Sequence, residues 1–100
     1  MAFFERFEAD ILSGKKTLTI RNESEKYYIP ESIVQVSTYE NNRWFCSLKI
    51  KSVESTLFND LTEVHAQQEN MSLLELKRVI QEIYPGIKEL YVIYYQLIKE

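Results

Sequence analysis

Cysteine, histidine and tryptophan occur once each in this chain of 100 residues, and glycine and proline twice each. Each scarcity removes a class of protein. Cys46 has no second cysteine with which to form an internal disulfide, and it falls in an alternating apolar run, the setting of a small buried core residue. A Cys46–His65 nucleophile pair is the sharper reading of the same residues, but His65 lies in an unrelated helical segment. One cysteine and one histidine without ligand spacing do not make a zinc site. Basic charge is also in short supply. Twelve Lys and Arg face fifteen Asp and Glu, a formal net charge of −3, which argues against a broad basic face gripping nucleic acid but not against a small fragment held in a pocket. No stretch approaches the ~18 apolar residues of a membrane span. The opening Met-Ala-Phe-Phe-Glu-Arg-Phe-Glu lacks the basic start and apolar run of a signal peptide, so the expectation is a cytoplasmic protein with no membrane partner.

What is present is an ordinary globular composition, 45% hydrophobic, 27% charged and 13% aromatic, in a length that suits one domain over residues 1–100. Phe3, Phe4, Phe7, Ile11 and Leu12 recur at helical spacing, and Ser13-Gly14 is the expected stop. Thr17 to Arg21 alternates as a short strand, followed by a polar loop over Asn22 to Lys26. Ile33–Tyr39 and Trp44–Lys51, joined through Asn41-Asn42, predict an antiparallel hairpin. Ser55 to Asp60 reads as irregular. Asp60-Leu-Thr-Glu63 and Ser72-Leu-Leu-Glu75 are capping boxes, the first opening a helix to about Gln68 and the second a longer amphipathic helix ended by Pro85-Gly86. Leu90 to Ile98 is apolar on both faces, as a covered central strand should be. With no βαβ alternation, repeat or low-complexity linker, the fold class is α+β, a small and mostly antiparallel β-barrel flanked by helices.

One segment can carry chemistry. In Gly14-Lys15-Lys16-Thr17-Leu18-Thr19-Ile20-Arg21, Leu18 and Ile20 anchor one strand face, and Thr17, Thr19 and Arg21 share the other. Lys16 stands at the strand entrance with a stem long enough to swing its amine toward Thr19. A threonine hydroxyl is a poor nucleophile until a base takes its proton. A lysine can serve if burial and nearby positive charge lower its pKa from ~10.4 toward neutrality. Arg21 supplies such a charge and can orient a polar substrate, while an acid from elsewhere must protonate the leaving group. On these residues alone, Lys-x-x-Thr is more often a solvated lysine beside a β-favouring threonine.

The spacing Gly14-x-Lys16-x-x-Thr19-x-Arg21 after an amphipathic helix resembles the signature of ASCH domains, small barrels related to the PUA fold. Phe7 through Arg21, Glu23-Ser-Glu25, Phe45-Cys46, Leu61-Thr-Glu-Val-His-Ala-Gln-Gln-Glu-Asn-Met71, Ile83-Tyr-Pro-Gly86 and Tyr91-Val-Ile93 are together similar to the bacterial ASCH-type amidohydrolases acting on N(4)-acetylcytidine. The resemblance implies Lys16 as proton acceptor, Thr19 as nucleophile, Glu69 as proton donor and Arg21 as a substrate contact. It implies hydrolysis of an acetylated cytosine nucleoside to cytidine and acetate, with no cofactor and no metal required. One departure is the family's Gly-Asp turn before the second strand, replaced here by Tyr27-Tyr28-Ile29-Pro30-Glu31-Ser32.

Several details stay open at this level. Glu69 follows a short helix in what reads as a surface cap, and its role as donor at neutral pH calls for a raised pKa in a partly desolvated site. On the same helix, Glu63 is explained by capping and His65 by a partly buried face. The oxyanion donors are either backbone N–H groups near the Gly14 turn or Arg21. Tyr27, Tyr28, Trp44 and Phe45 are candidates to stack on the pyrimidine, although each also suits core or hairpin packing. The alternative function is a non-enzymatic RNA-binding PUA-like module, against which the net charge and the acids Glu23 and Glu25 count.

Overall fold

Alternating apolar residues build the longest elements of the chain, and the computed structural model describes residues 1–98. The strands are β1 (Ala2–Phe3), β2 (Leu18–Arg21), β3 (Ile33–Thr38), β4 (Trp44–Leu57) and β5 (Glu89–Leu97), and the helices are α1 (Glu8–Leu12), α2 (Glu63–Gln68) and α3 (Leu73–Ile83). The strands form one sheet in the order β1-β3-β4-β5-β2. All neighbours run antiparallel except β1 beside β3, so the α+β class and the mostly antiparallel sheet are as expected. The sheet is curled and does not close through a backbone ladder. Its two edge strands meet instead through a side chain, with Arg21 Nη2 of β2 donating to the Ala2 carbonyl of β1 at 2.7 Å.

Strand β5 lies between β4 and β2 and is covered on both faces. Leu90 and Val92 join Leu18, Ile20, Leu61, Ala66, Leu76 and Ile80 in a core beneath α2 and α3. Tyr95 joins Phe3, Ile11, Val36, Cys46 and Leu48 in a second core. Each such large side chain taken from water contributes about 1.5–3 kcal/mol, which explains why the longest apolar run sits at the centre.

Three local expectations need correction. The N-terminal helix is confined to α1, preceded by β1 and a 3₁₀ turn over Glu5–Phe7. Phe3 has helical spacing to Phe7, yet its pairing with Thr38 and its burial in the second core override that local pattern. Strand β4 continues to Leu57, because β5 supplies partners as far as Glu89, leaving only Phe58–Asp60 as a 3₁₀ turn. Finally, α2 is capped by Thr62, with His65 as its reciprocal partner: the Thr62 N–H donates to His65 Nδ1 at 3.0 Å. His65 is thus the capping side chain, and Glu63 simply occupies the first turn. The second cap is as expected, with Ser72 Oγ accepting from the Glu75 N–H at 3.1 Å.

Candidate active site

Lys16 is delivered by a turn that uses every nearby amide. After α1, Gly14 takes φ +80°, and the N–H groups of Lys15 and Lys16 both donate to the Asp10 carbonyl at 3.0 Å. The Gly14 N–H donates to Ile11, and the Thr17 N–H reaches the Gln68 carbonyl at 2.8 Å. From the other side, Tyr95 Oη donates to the Lys16 carbonyl at 3.0 Å. These contacts pin Lys16 between the end of α2 and strand β5. They also correct one expectation, since the amides around Gly14 are engaged within the fold and are not free to bind an oxyanion.

The pinned side chain points inward. Lys16 is 2% exposed and Glu69 5%, with Nζ to Oε2 at 2.5 Å. Glu69 caps the C-terminus of α2, its own N–H held by the His65 and Ala66 carbonyls, so the expected surface acid is a buried one. Its second oxygen, Oε1, has no hydrogen-bond partner among the described residues. Burial pushes the Lys16 pKa down; the Glu69 carboxylate opposes the shift and the Arg21 cation adds to it. The amine also sits 5.0 Å from the Phe7 ring centroid. Lys16 is paired with Glu69 rather than swung onto Thr19, a preference that follows from Coulomb attraction in a dry setting.

Thr19 is 5% exposed and shares its sheet face with its partner Ile93 on β5. Its hydroxyl oxygen accepts from Arg21 Nε at 3.1 Å. The Arg21 guanidinium is held on three further sides: Nη1 donates to Glu25 at 3.1 Å, Nη2 donates to the Ala2 carbonyl, and Cζ lies 4.8 Å from the Phe3 ring centroid. Lys16, Thr19, Arg21 and Glu69 all line one cavity of about 690 Å³, in which the hydroxyl and the guanidinium are in contact while the amine is held by Glu69. Such a cavity is large enough for a nucleoside.

The aromatic side chains of this cavity differ from those expected. Phe3, Phe4, Phe7, Tyr39 and Tyr84 line it, whereas Tyr27, Tyr28, Trp44 and Phe45 do not. Trp44 donates Nε1–H to Gln35 at 2.7 Å, Phe45 packs on the second core, and Tyr28 Oη binds Glu25. The phenylalanines were legible in the sequence only as a helix face, and their place at the site depends on β1 pairing with β3. Cys46 is buried in the core, and burial pushes its thiol up to about 11, which suits an inert residue. Among the described residues no three His, Cys, Asp or Glu side chains are grouped as metal ligands, and no helix is long and apolar enough to cross a membrane.

Known proteins are similar to this chain in sequence or in fold. The chain is 67% identical over 98 residues to the N(4)-acetylcytidine amidohydrolase of Vibrio atlanticus (strain LGP32), covering 98% of this chain and 94% of that one. It is 57% identical to the protein of the same name from Shewanella sp. (strain ANA-3), covering 95% of this chain and 86% of the other. The crystal structure of an ASCH domain from Lactobacillus crispatus JV V101 superposes with a TM-score of 0.78 at 16% identity, over 96% of this chain and 77% of that chain, a likeness of fold. The family model for the ASCH domain matches residues 1–95, and the chain belongs to the ASCH domain family.

Proposed function

We propose that the chain, as one ASCH domain over residues 1–100, is a cytoplasmic amidohydrolase that converts N(4)-acetylcytidine to cytidine and acetate. The observation that carries this reading is the buried Lys16–Glu69 pair on the wall of the cavity that also holds Thr19. The relatives that share most of this sequence bear the name of that activity.

The pair holds one proton between an amine and a carboxylate. In the reactive form the proton is on Glu69 and Lys16 is neutral, a state that burial favours for the lysine. Lys16 takes the Thr19 hydroxyl proton, and Oγ attacks the acetyl carbonyl carbon. Negative charge gathers on the carbonyl oxygen, and the Arg21 guanidinium, in contact with Thr19 through Nε, supplies positive charge to offset it. The carbon–nitrogen bond then breaks as Glu69 gives its proton to the departing cytosine nitrogen. Thr19 is left as an acetyl ester beside charged Lys16 and Glu69. Water attacks the ester, Glu69 takes a proton from it, and Lys16 returns a proton to Thr19 Oγ. Acetic acid leaves, and the pair is back in its reactive form.

Purified protein incubated with N(4)-acetylcytidine should yield cytidine and acetate in equal amounts by chromatography. A wild-type protein without turnover would contradict the enzyme reading. Undiminished turnover in Lys16→Ala or Glu69→Gln would contradict the assigned roles and leave the activity standing.

A further inference from the structure

We propose that Glu25, steadied by Tyr28, is a positioning residue that fixes the Arg21 guanidinium on the Thr19 hydroxyl; this rests on the amidohydrolase reading above. An arginine side chain has many rotamers, and its usefulness in catalysis depends on being held in one of them. Arg21 stands at the end of an edge strand, where only β5 supports it through the backbone ladder. The chain after it makes the missing support. Asn22 is extended and its Oδ1 accepts from the Ser24 N–H at 3.1 Å, which starts a 3₁₀ turn over Glu23–Glu25. That turn brings Glu25 back over Arg21, four residues on, with Oε2 3.1 Å from Nη1.

Glu25 is the one carboxylate paired with Arg21 among the described residues. Its other oxygen accepts from Tyr28 Oη at 3.2 Å. Both oxygens are thereby engaged within the fold, so Glu25 is poorly placed to exchange protons with a substrate although it lines the cavity. The remaining anchors of the guanidinium are a backbone carbonyl and an aromatic ring, neither of which supplies compensating negative charge. With Nη1 tied to Glu25 and Nη2 tied to Ala2, Nε is the donor left facing Thr19. The neighbouring acid Glu23 has no such role. It is exposed and pairs with Lys26, so the two acids of one short turn separate into a surface pair and a site pair.

The test compares kcat and KM for wild type, Glu25→Gln, Tyr28→Phe and Glu23→Gln, and repeats Glu25→Gln in an Arg21→Met background. Glu25→Gln should lower kcat about tenfold or more with KM within about twofold, because misplacing a reacting group costs rate rather than binding. Tyr28→Phe should fall between, and Glu23→Gln should match wild type. In the Arg21→Met background Glu25→Gln should cost less than about twofold more, since Glu25 acts through Arg21. Wild-type kcat in Glu25→Gln, or losses that add in the double variant, would overturn the proposal. A second readout does not need turnover. The Arg21 Nε–Hε cross-peak in a ¹⁵N-labelled sample should be slow to exchange in wild type and exchange faster in Glu25→Gln. An unchanged cross-peak would overturn the positioning role, whereas absence of wild-type turnover alone would overturn only the amidohydrolase reading.

Discussion

A lysine and a glutamate 2.5 Å apart and almost wholly buried depend on each other for their solvation. Removing one leaves the other charge in a dry setting with nothing to answer it. Lys16→Met should therefore destabilise the fold by about 3–5 kcal/mol, read by urea unfolding. Replacing Glu69 by Met as well should restore most of that loss while leaving the protein inactive, and a double variant as unstable as the single would contradict the account. On the proposed mechanism the same pair sets the pH dependence. Burial favours the uncharged amine, so the pair gives up its last proton at lower pH than a free lysine would. A bell-shaped kcat/KM profile is expected, its limbs belonging to the pair as a whole, with the alkaline limb falling below the ordinary lysine value of ~10.4. Activity that stayed flat up to that value would contradict a desolvated Lys16. At this scale the face shared by Thr19 and Arg21 was legible from the two-residue period, and Lys16 only as a long side chain at the strand entrance. Glu69 was legible only through resemblance, because nothing local marks the C-terminal cap of a short helix as the partner of a distant lysine.

Two short elements carry the placement of these side chains, and they answer differently to substitution. Gly14 has φ +80° with open space where a Cβ would stand, so Gly14→Ala meets only the backbone cost of a left-handed residue, about 1 kcal/mol. A thermal melt checks this, and a stabilised variant would contradict the assigned turn. His65→Ala removes the reciprocal cap of α2 and should cost about 1 kcal/mol of stability with turnover near wild type. Abolished turnover in a folded His65→Ala protein would return His65 to the list of catalytic candidates. Both caps were visible as short polar patterns, although the first box belongs to Thr62 and His65 rather than Asp60 and Glu63. The elements that escaped the sequence are those made by distant partners. Strand β1 exists because β3 accepts it, and β4 runs to Leu57 because β5 continues beside it. Period alone cannot show a partner that is far along the chain.

Taken as a whole, the molecule is a curled sheet whose edges are joined by Arg21, with its cavity at that junction. The cavity's cations, Arg6, Lys16 and Arg21, are matched by Glu25, Glu40, Glu69 and Glu82. Together with a net charge of −3, this balance offers no sustained attraction to a polyphosphate backbone. A gel shift with structured RNA is expected to show no retention, and retention that weakens steeply with salt would favour the RNA-binding alternative. On the proposed mechanism Thr19, hydrogen-bonded by Arg21 and lining the same cavity as the Lys16–Glu69 pair, attacks the acetyl group. The most direct measurement is kcat for folded Thr19→Ala against wild type on N(4)-acetylcytidine. The account expects a loss of at least about 10³-fold, as for other enzymes stripped of their nucleophile, and turnover within about tenfold of wild type would contradict it.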